Sequence, residues 1–249
     1  MTKNSYNKFS KVWKDKVNVG IPAHIYLEKP AMTSLLPNLE KKEIICIGCG
    51  SGEECKSLKM LGAKRIVGID ASSQLINLAK NAYPDYEFYS MNMESMKFPS
   101  ASFDFAYSSL TLHYVNSWSK TLKQTYRILK PGGTFLFSIH HPLKTAMSFK
   151  RDKEKATRIL GYVKYRLLEK GKVYGDYLNE REIEDKIFNR LKITYFHRPM
   201  SLLLKDIFSS NFKIVDMIEP KPVSLGKKEK GFWKIHQKIP LVLIFKLQK

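Results

Sequence analysis

Gly48, Gly50 and Gly52 follow the apolar run Ile44-Ile45-Cys46-Ile47, and Asp70 closes the later run Arg65-Ile66-Val67-Gly68-Ile69, about 20 residues beyond the glycines. Glycines between a strand and a helix let the backbone come close to a ligand, and the helix start aims free N–H groups at the same place. A carboxylate at the tip of the next strand can accept both hydroxyls of a ribose. The pattern strand, glycine turn, helix, strand, acid is therefore a nucleoside site. Glu53 occupies the sixth position counted from Gly48, where a dinucleotide-binding turn has glycine, and Glu54 follows it. Two acids there repel a pyrophosphate. They suit a cofactor with a cationic sulfonium and a zwitterionic amino-acid tail.

Elements that position such a site follow in order. Met91-Asn92-Met93-Glu94-Ser95-Met96-Lys97-Phe98-Pro99 precedes the strand-like Ser102 to Leu110 and the loop Leu112-His113-Tyr114-Val115. Thr121 to Lys130 reads as a helix with apolar positions at Leu122, Tyr126 and Leu129, stopped by Pro131-Gly132-Gly133, after which Thr134 to Ile139 reads as a buried strand.

Gly48-Cys49-Gly50-Ser51-Gly52 with Asp70, and the order of the later segments, resemble the class I S-adenosylmethionine-dependent methyltransferases over residues 43 to 142, about two-fifths of the chain. The resemblance implies an α/β, Rossmann-like doubly wound fold: a seven-stranded, mostly parallel sheet with an N-terminal helical lid and an insertion before the last strand pair. It implies S-adenosyl-L-methionine as cofactor, with Gly48, Cys49, Gly50 and Gly52 at its turn and Asp70 and Ala71 at its ribose. Asn92 and Met93 fall at the adenine turn and Ser108 at the end of the fourth strand. The family usually has an acid where this chain has Cys46, and another where it has Asn92. An Asn carbonyl still accepts from an exocyclic amine.

The resemblance divides one domain, residues 1–249, into a lid (1–42), a cofactor-binding core (43–142), an insertion or substrate region (143–197) and a C-terminal helix and strand pair (198–249). Within the insertion, Lys150 to Leu160 is predicted as a charged helix. Tyr162 to Leu168 and Lys172 to Tyr177 are predicted to pair as a hairpin around Lys170-Gly171. The antiparallel last strand is expected at Leu241 to Leu247.

The net charge of +20 splits into +5 for residues 1–42, +2 for 43–143, +6 for 144–197 and +7 for 198–249, so the core is nearly neutral between basic margins. The cations are 35 Lys against 8 Arg, which favours a solvated surface over the arginine forks of a nucleic-acid reader. Weak, non-specific nucleic-acid binding is expected, and the compact run Lys227-Lys228-Glu229-Lys230 reads as a solvated loop. Three cysteines without a fourth ligand nearby argue against zinc, and with no apolar leader they indicate reduced thiols and a cytoplasmic location. The apolar stretch Ile239 to Phe245 is too short to span a bilayer.

Carboxyl ends of parallel strands line the ligand crevice, so His113 and the pair His140-His141 are expected to face the transferred methyl. His197 stands in Tyr195-Phe196-His197-Arg198-Pro199, which resembles a segment before the penultimate helix of small-molecule members of the family, where it often faces the acceptor. If the acceptor has to lose a proton, a neutral imidazole is the natural base, in the order His141, His113, His197. Three functions fit: methyl transfer to a small molecule, methylation of tRNA or rRNA, or non-catalytic cofactor binding.

Overall fold

A computed structural model describes residues 2–151, 155–164, 171–187, 191–223 and 230–249. Two helices, α1 (Thr2–Lys8) and α2 (Ser10–Val19), lead through the π-helical turn His24–Glu28 into α3 (Lys29–Ser34). Then β1 (Glu43–Ile47), α4 (Glu53–Met60), β2 (Arg65–Asp70), α5 (Ser73–Ala82), β3 (Glu87–Ser90) and β4 (Phe103–Ser108) alternate. After α6 (Trp118–Ile128), β5 (Leu129–His140) and α7 (Pro142–Ala146) come six short strands. These are β6 (Ser148–Arg151), β7 (Ala156–Ile159), β8 (Gly161–Lys164), β9 (Gly171–Tyr174), β10 (Arg181–Ile187) and β11 (Leu191–His197). The chain closes through α8 (Met200–Ser209), β12 (Lys213–Ile218), α9 (Lys230–His236) and β13 (Val242–Gln248).

Seven strands form one sheet in the order β12-β13-β5-β4-β1-β2-β3. All pairs from β3 to β5 are parallel, while β13 runs antiparallel to both β5 and β12. The expected mostly parallel, seven-stranded α/β fold is therefore present. Its apolar runs are continuous because both faces are covered. Ile45, Ile47, Phe135 and Phe137 pack under Trp118 and Leu122 of α6 and Leu203 and Ile207 of α8. Ile44, Cys46, Phe105 and Leu136 alternate to the other face, under Met32 of α3, Leu58 of α4 and Ile76 of α5.

The insertion differs from its sequence reading. Lys150 to Leu160 is not a helix: β6 and β7 pair antiparallel there, with the Arg158 guanidinium 4.2 Å from the Phe149 ring centroid. The β-branched Thr157 and Ile159 favour a strand, and the register sets Arg158 opposite Phe149, where the two stack. The expected hairpin exists as β8 paired with β9, but Gly171 lies in β9 opposite Lys164 and not at the tip. Residues 165–170, to which the rest of that expectation refers, lie outside the described residues, as do Lys227, Lys228 and Glu229 of the basic run. Helix α6 ends at Ile128, and Pro131-Gly132-Gly133 forms an irregularity within β5 between the pairs Phe103–Leu129 and Phe105–Thr134. Proline lacks the N–H that regular pairing needs. Among the described residues, no helix is long and apolar enough to cross a membrane.

Candidate cofactor and acceptor site

The strand order reverses between β1's neighbours β2 and β4, which opens a crevice beyond their carboxyl ends. The turn after β1 fills its floor. Gly48 has φ +73° and Gly50 φ +54°, the left-handed region that glycine enters without strain. A Cβ on Gly48 would stand 2.2 Å from Thr111 Cγ2, so only glycine fits between β1 and the loop after β4. The Gly48 and Cys49 amides both donate to the Ile69 carbonyl, at 2.7 and 2.9 Å. Gly52 serves the helix start instead. At φ +94° it precedes α4, and a Cβ there would press on Tyr83 and Phe88.

Asp70 completes the floor. Its Oδ2 accepts from the Gly50 amide at 3.0 Å and its Oδ1 from the Ser72 amide at 2.8 Å. Burial pushes the Asp70 carboxyl up, and these two N–H bonds oppose the rise. The Asn92 side-chain oxygen accepts from the Glu94 amide at 2.9 Å and so caps the short turn Met93–Ser95. Ser108 Oγ donates to the Ile47 carbonyl at 2.7 Å, which locks β4 to β1.

Above this floor lies a cavity of about 630 Å³, inside the 300–1,000 Å³ range typical of ligand pockets. Gly48, Cys49, Gly50, Asp70, Ala71, Asn92, Met93 and Ser108 all line it; Gly52 does not. Its roof comes from α1, α2 and β11. Tyr6, Phe9 and Trp13 pack with Tyr114 on Leu191, Ile193 and Tyr195. Tyr6 meets Trp13 and Tyr114 edge to face at 5.3 and 5.9 Å, and its hydroxyl donates to Tyr114 Oη at 3.1 Å. Asn7 of α1 also reaches Ser72, at 2.7 Å.

A buried polar network forms the wall on the β1–β4 side, and sequence reasoning did not find it. His24 Nδ1 lies 2.6 Å from Glu28 Oε2, and Nε2 lies 3.1 Å from Glu54 Oε1. Glu28 is wholly buried and its Oε1 accepts from Ser109 Oγ at 2.9 Å and Ser138 Oγ at 2.5 Å. Glu54 also takes Lys29 Nζ at 3.2 Å on Oε1 and the Tyr107 hydroxyl at 3.4 Å on Oε2. Burial alone would lower the His24 pKa. Its bonds to Glu28 and Glu54 outweigh burial and push it up to about 9. The Glu54 carboxyl goes down, because His24 and Lys29 outweigh burial there. The i, i+4 spacing of His24 and Glu28 was a readable signal for half of this network. Glu54 was not linked to them by any spacing.

None of the three expected catalytic histidines lines the cavity. His113 is buried with its ring stacked 3.9 Å from that of His140, and its Nδ1 accepts the His140 amide at 3.4 Å. Burial, then the charges of Lys144 and Arg198, push its pKa well down. His141 caps α7 by accepting the Leu143 amide at 3.0 Å, while its Nε2 lies 2.7 Å from Glu219 Oε1. His197 Nε2 donates to the Tyr177 carbonyl at 2.9 Å, with Nδ1 2.7 Å from Thr145 Oγ1. Arg198 turns away as well, donating to the Val115 and Asn116 carbonyls at 3.1 and 2.7 Å. From that segment Phe196 reaches the cavity instead. Strand-end position placed the histidines near the crevice, but it did not fix the direction of their side chains.

The three cysteines are buried free thiols, Cys46 and Cys49 beside the turn and Cys55 on α4. Burial is the main cause that pushes the Cys49 thiol up.

A family model described as a methyltransferase domain matches residues 45–137. The crystal structure of an S-adenosylmethionine-dependent methyltransferase from Mesorhizobium loti superposes with a TM-score of 0.74 at 26% identity, over 89% of this chain and 97% of that one. A second, described as a putative S-adenosylmethionine-dependent methyltransferase from Listeria monocytogenes, has a TM-score of 0.71 at 24% identity, over 89% and 96%, and shares the fold. The malonyl-[acyl-carrier protein] O-methyltransferase of Pseudescherichia vulneris is 24% identical over 119 residues, so this chain spans about half the length of that relative, 47% of each. With the family match running from inside β1 to inside β5, on a fold shared with a methyltransferase over nine-tenths of the chain, this protein carries a class I S-adenosylmethionine-dependent methyltransferase domain, whose methyl donor is S-adenosyl-L-methionine.

Proposed function

We propose that this methyltransferase acts on a small organic acceptor, which enters beside Tyr6, Trp13, Tyr114 and Phe196. The charge of the cavity wall carries this reading. Lys3 and His24 are its cations among the described residues, against the carboxylates Glu53, Glu54, Asp70, Glu94 and Glu182. Such a wall repels a phosphate backbone. The aromatic part of the wall, Tyr6, Trp13, Tyr114 and Phe196, suits a small organic molecule.

The fit to the cofactor supports assigning Asp70 and Ala71 to its ribose, Asn92 and Met93 to its adenine, and the backbone of Gly48, Cys49 and Gly50, with Ser108 nearby, to its tail. Gly50 is one such fit: at φ +54° a Cβ there would have only Trp13 Nε1 within 4 Å, so its backbone stays open to the cavity. When bound, S-adenosylmethionine supplies an electrophilic methyl group on sulfur. This chain's residues then have to align the acceptor with that methyl and exclude water, and alignment is the main source of rate in a displacement of this kind. Tyr114, raised to about 12 by burial against its bond with Tyr6, stays a neutral phenol and orients by hydrogen bonding. His24 stays protonated and is no base at neutral pH. The acceptor therefore arrives with its lone pair available, and His113 packs behind Tyr114, with ring centroids 4.3 Å apart.

The basic margins favour a second reading, methylation of RNA, and one experiment separates the two. The protein is incubated with radiolabelled S-adenosylmethionine and, in parallel, a metabolite extract or bulk tRNA. Label is expected in a small-molecule fraction. RNA binding is expected to be weak and to fall with salt, by about 10³ between 50 and 200 mM for six or more contacts. Saturable methylation of tRNA at physiological salt would reverse the order of the two readings.

A further inference from the structure

We infer that Glu54, steadied by His24, receives the ammonium group of the cofactor's amino-acid tail. The inference rests on the cofactor being S-adenosylmethionine and on its adenosine lying at Asp70 and Asn92. The tail must then lie toward the end of β1, where the wall is Cys46, His24, Glu54, Tyr107 and Ser109.

An ammonium brought into such a wall requires a carboxylate. The other acids of the cavity are committed or remote. Asp70 holds two backbone amides, and its remaining lone pairs are assigned to the ribose. Glu53 takes the Ser51 hydroxyl on both oxygens, at 2.9 and 2.8 Å. Glu94 accepts the Ser117 amide at 2.9 Å, and Glu182 is exposed on β10 at the far rim. Cys46, at the end of β1, offers an uncharged thiol.

Glu54 has capacity left. A carboxylate has about four lone-pair sites. Oε1 uses two of them on His24 and Lys29, whereas Oε2 accepts a single long bond from Tyr107. Lys29 is 41% exposed and reaches Glu54 from the solvent side, so it can withdraw. His24 cannot withdraw so easily, because Glu28 holds its other nitrogen. His24, itself held by Glu28, thus fixes Oε1 of the Glu54 head and leaves Oε2 toward Tyr107, another residue of the cavity wall.

Calorimetric titration with S-adenosylhomocysteine and with methylthioadenosine tests the inference, since the second ligand has the same nucleoside and thioether but no amino-acid tail. Glu54→Gln is expected to weaken S-adenosylhomocysteine binding by about 10–100-fold and to change methylthioadenosine affinity by less than about twofold. Lys29→Met, at an exposed position, is expected to tighten S-adenosylhomocysteine alone. Equal losses for both ligands would overturn the inference and leave Glu54 as a support of the glycine turn; so would unchanged affinity for both ligands in both variants. If the parent protein bound methylthioadenosine as tightly as S-adenosylhomocysteine, the nucleoside site would stand and the tail assignment would fall. Failure to bind either ligand would remove the cofactor placement itself.

Discussion

The Gly50 amide donates to Asp70 Oδ2 at 3.0 Å, so the carboxylate assigned to the ribose also fastens the turn after β1 to the end of β2. Asp70→Ala is therefore expected to remove both functions. Affinity for S-adenosylhomocysteine should drop by about 1.5–3 kcal/mol for each charge-assisted bond lost. Calorimetry measures this directly. An unchanged affinity would show that Asp70 only shapes the turn.

Gly48→Ala is expected to destabilise the protein by about 1–3 kcal/mol, because the new Cβ strikes Thr111 and the backbone stays at positive φ. Adding Thr111→Ala removes Cγ2 and Oγ1 but leaves Cβ at 2.7 Å, so denaturant unfolding should show only partial recovery.

His24 makes stability depend on pH on the alkaline side. Its pKa rises from 6.5 to about 9 on folding, so its contribution is complete below pH 6.5 and is lost as pH climbs through 9. The amount is on the order of 3 kcal/mol, given the 1.36 kcal/mol carried by each pKa unit. Melting temperatures of the parent should fall across that window. His24→Gln should start lower and stay flatter there; parallel curves would show that the imidazolium contributes nothing.

For His141 the expected cost is structural. His141→Ala loses the cap on α7, worth about 0.5–2 kcal/mol, and a bond to the half-exposed Glu219, worth little in water. Once an acceptor is identified, turnover should change by less than about tenfold, below the 10²–10⁴ expected of a general base. A loss in that higher range with cofactor affinity intact would return His141 to the chemistry.

The glycine turn, Asp70 and the sheet were legible because each depends on local pattern: apolar runs of strand length, glycines where φ turns positive, and an acid at a strand tip. The margins were harder. In the insertion, Phe149, Thr157 and Ile159 alternate with charges over strands of four residues, too short for period two to stand out from a charged helix. In the sequence His24 signals only an i, i+4 pair with Glu28. Its meaning comes from Glu54, brought beside it by tertiary packing. Cys46 likewise reads as a missing charge, and no local pattern signals that Glu54 joins the same cavity wall.

The reversed strand β13 has a consequence for how the chain folds. Strands β1 to β5 find their partners about 20 to 60 residues away, whereas the far edge of β5 waits for β13, about a hundred residues later. Until that pairing forms, β5 presents an open edge with Phe135 and Phe137 beside it, a template for pairing with another copy. Assembly of the sheet is thus limited by one distant pairing. Any condition that delays it, such as truncation before Val242, lengthens the time during which aggregation competes with folding.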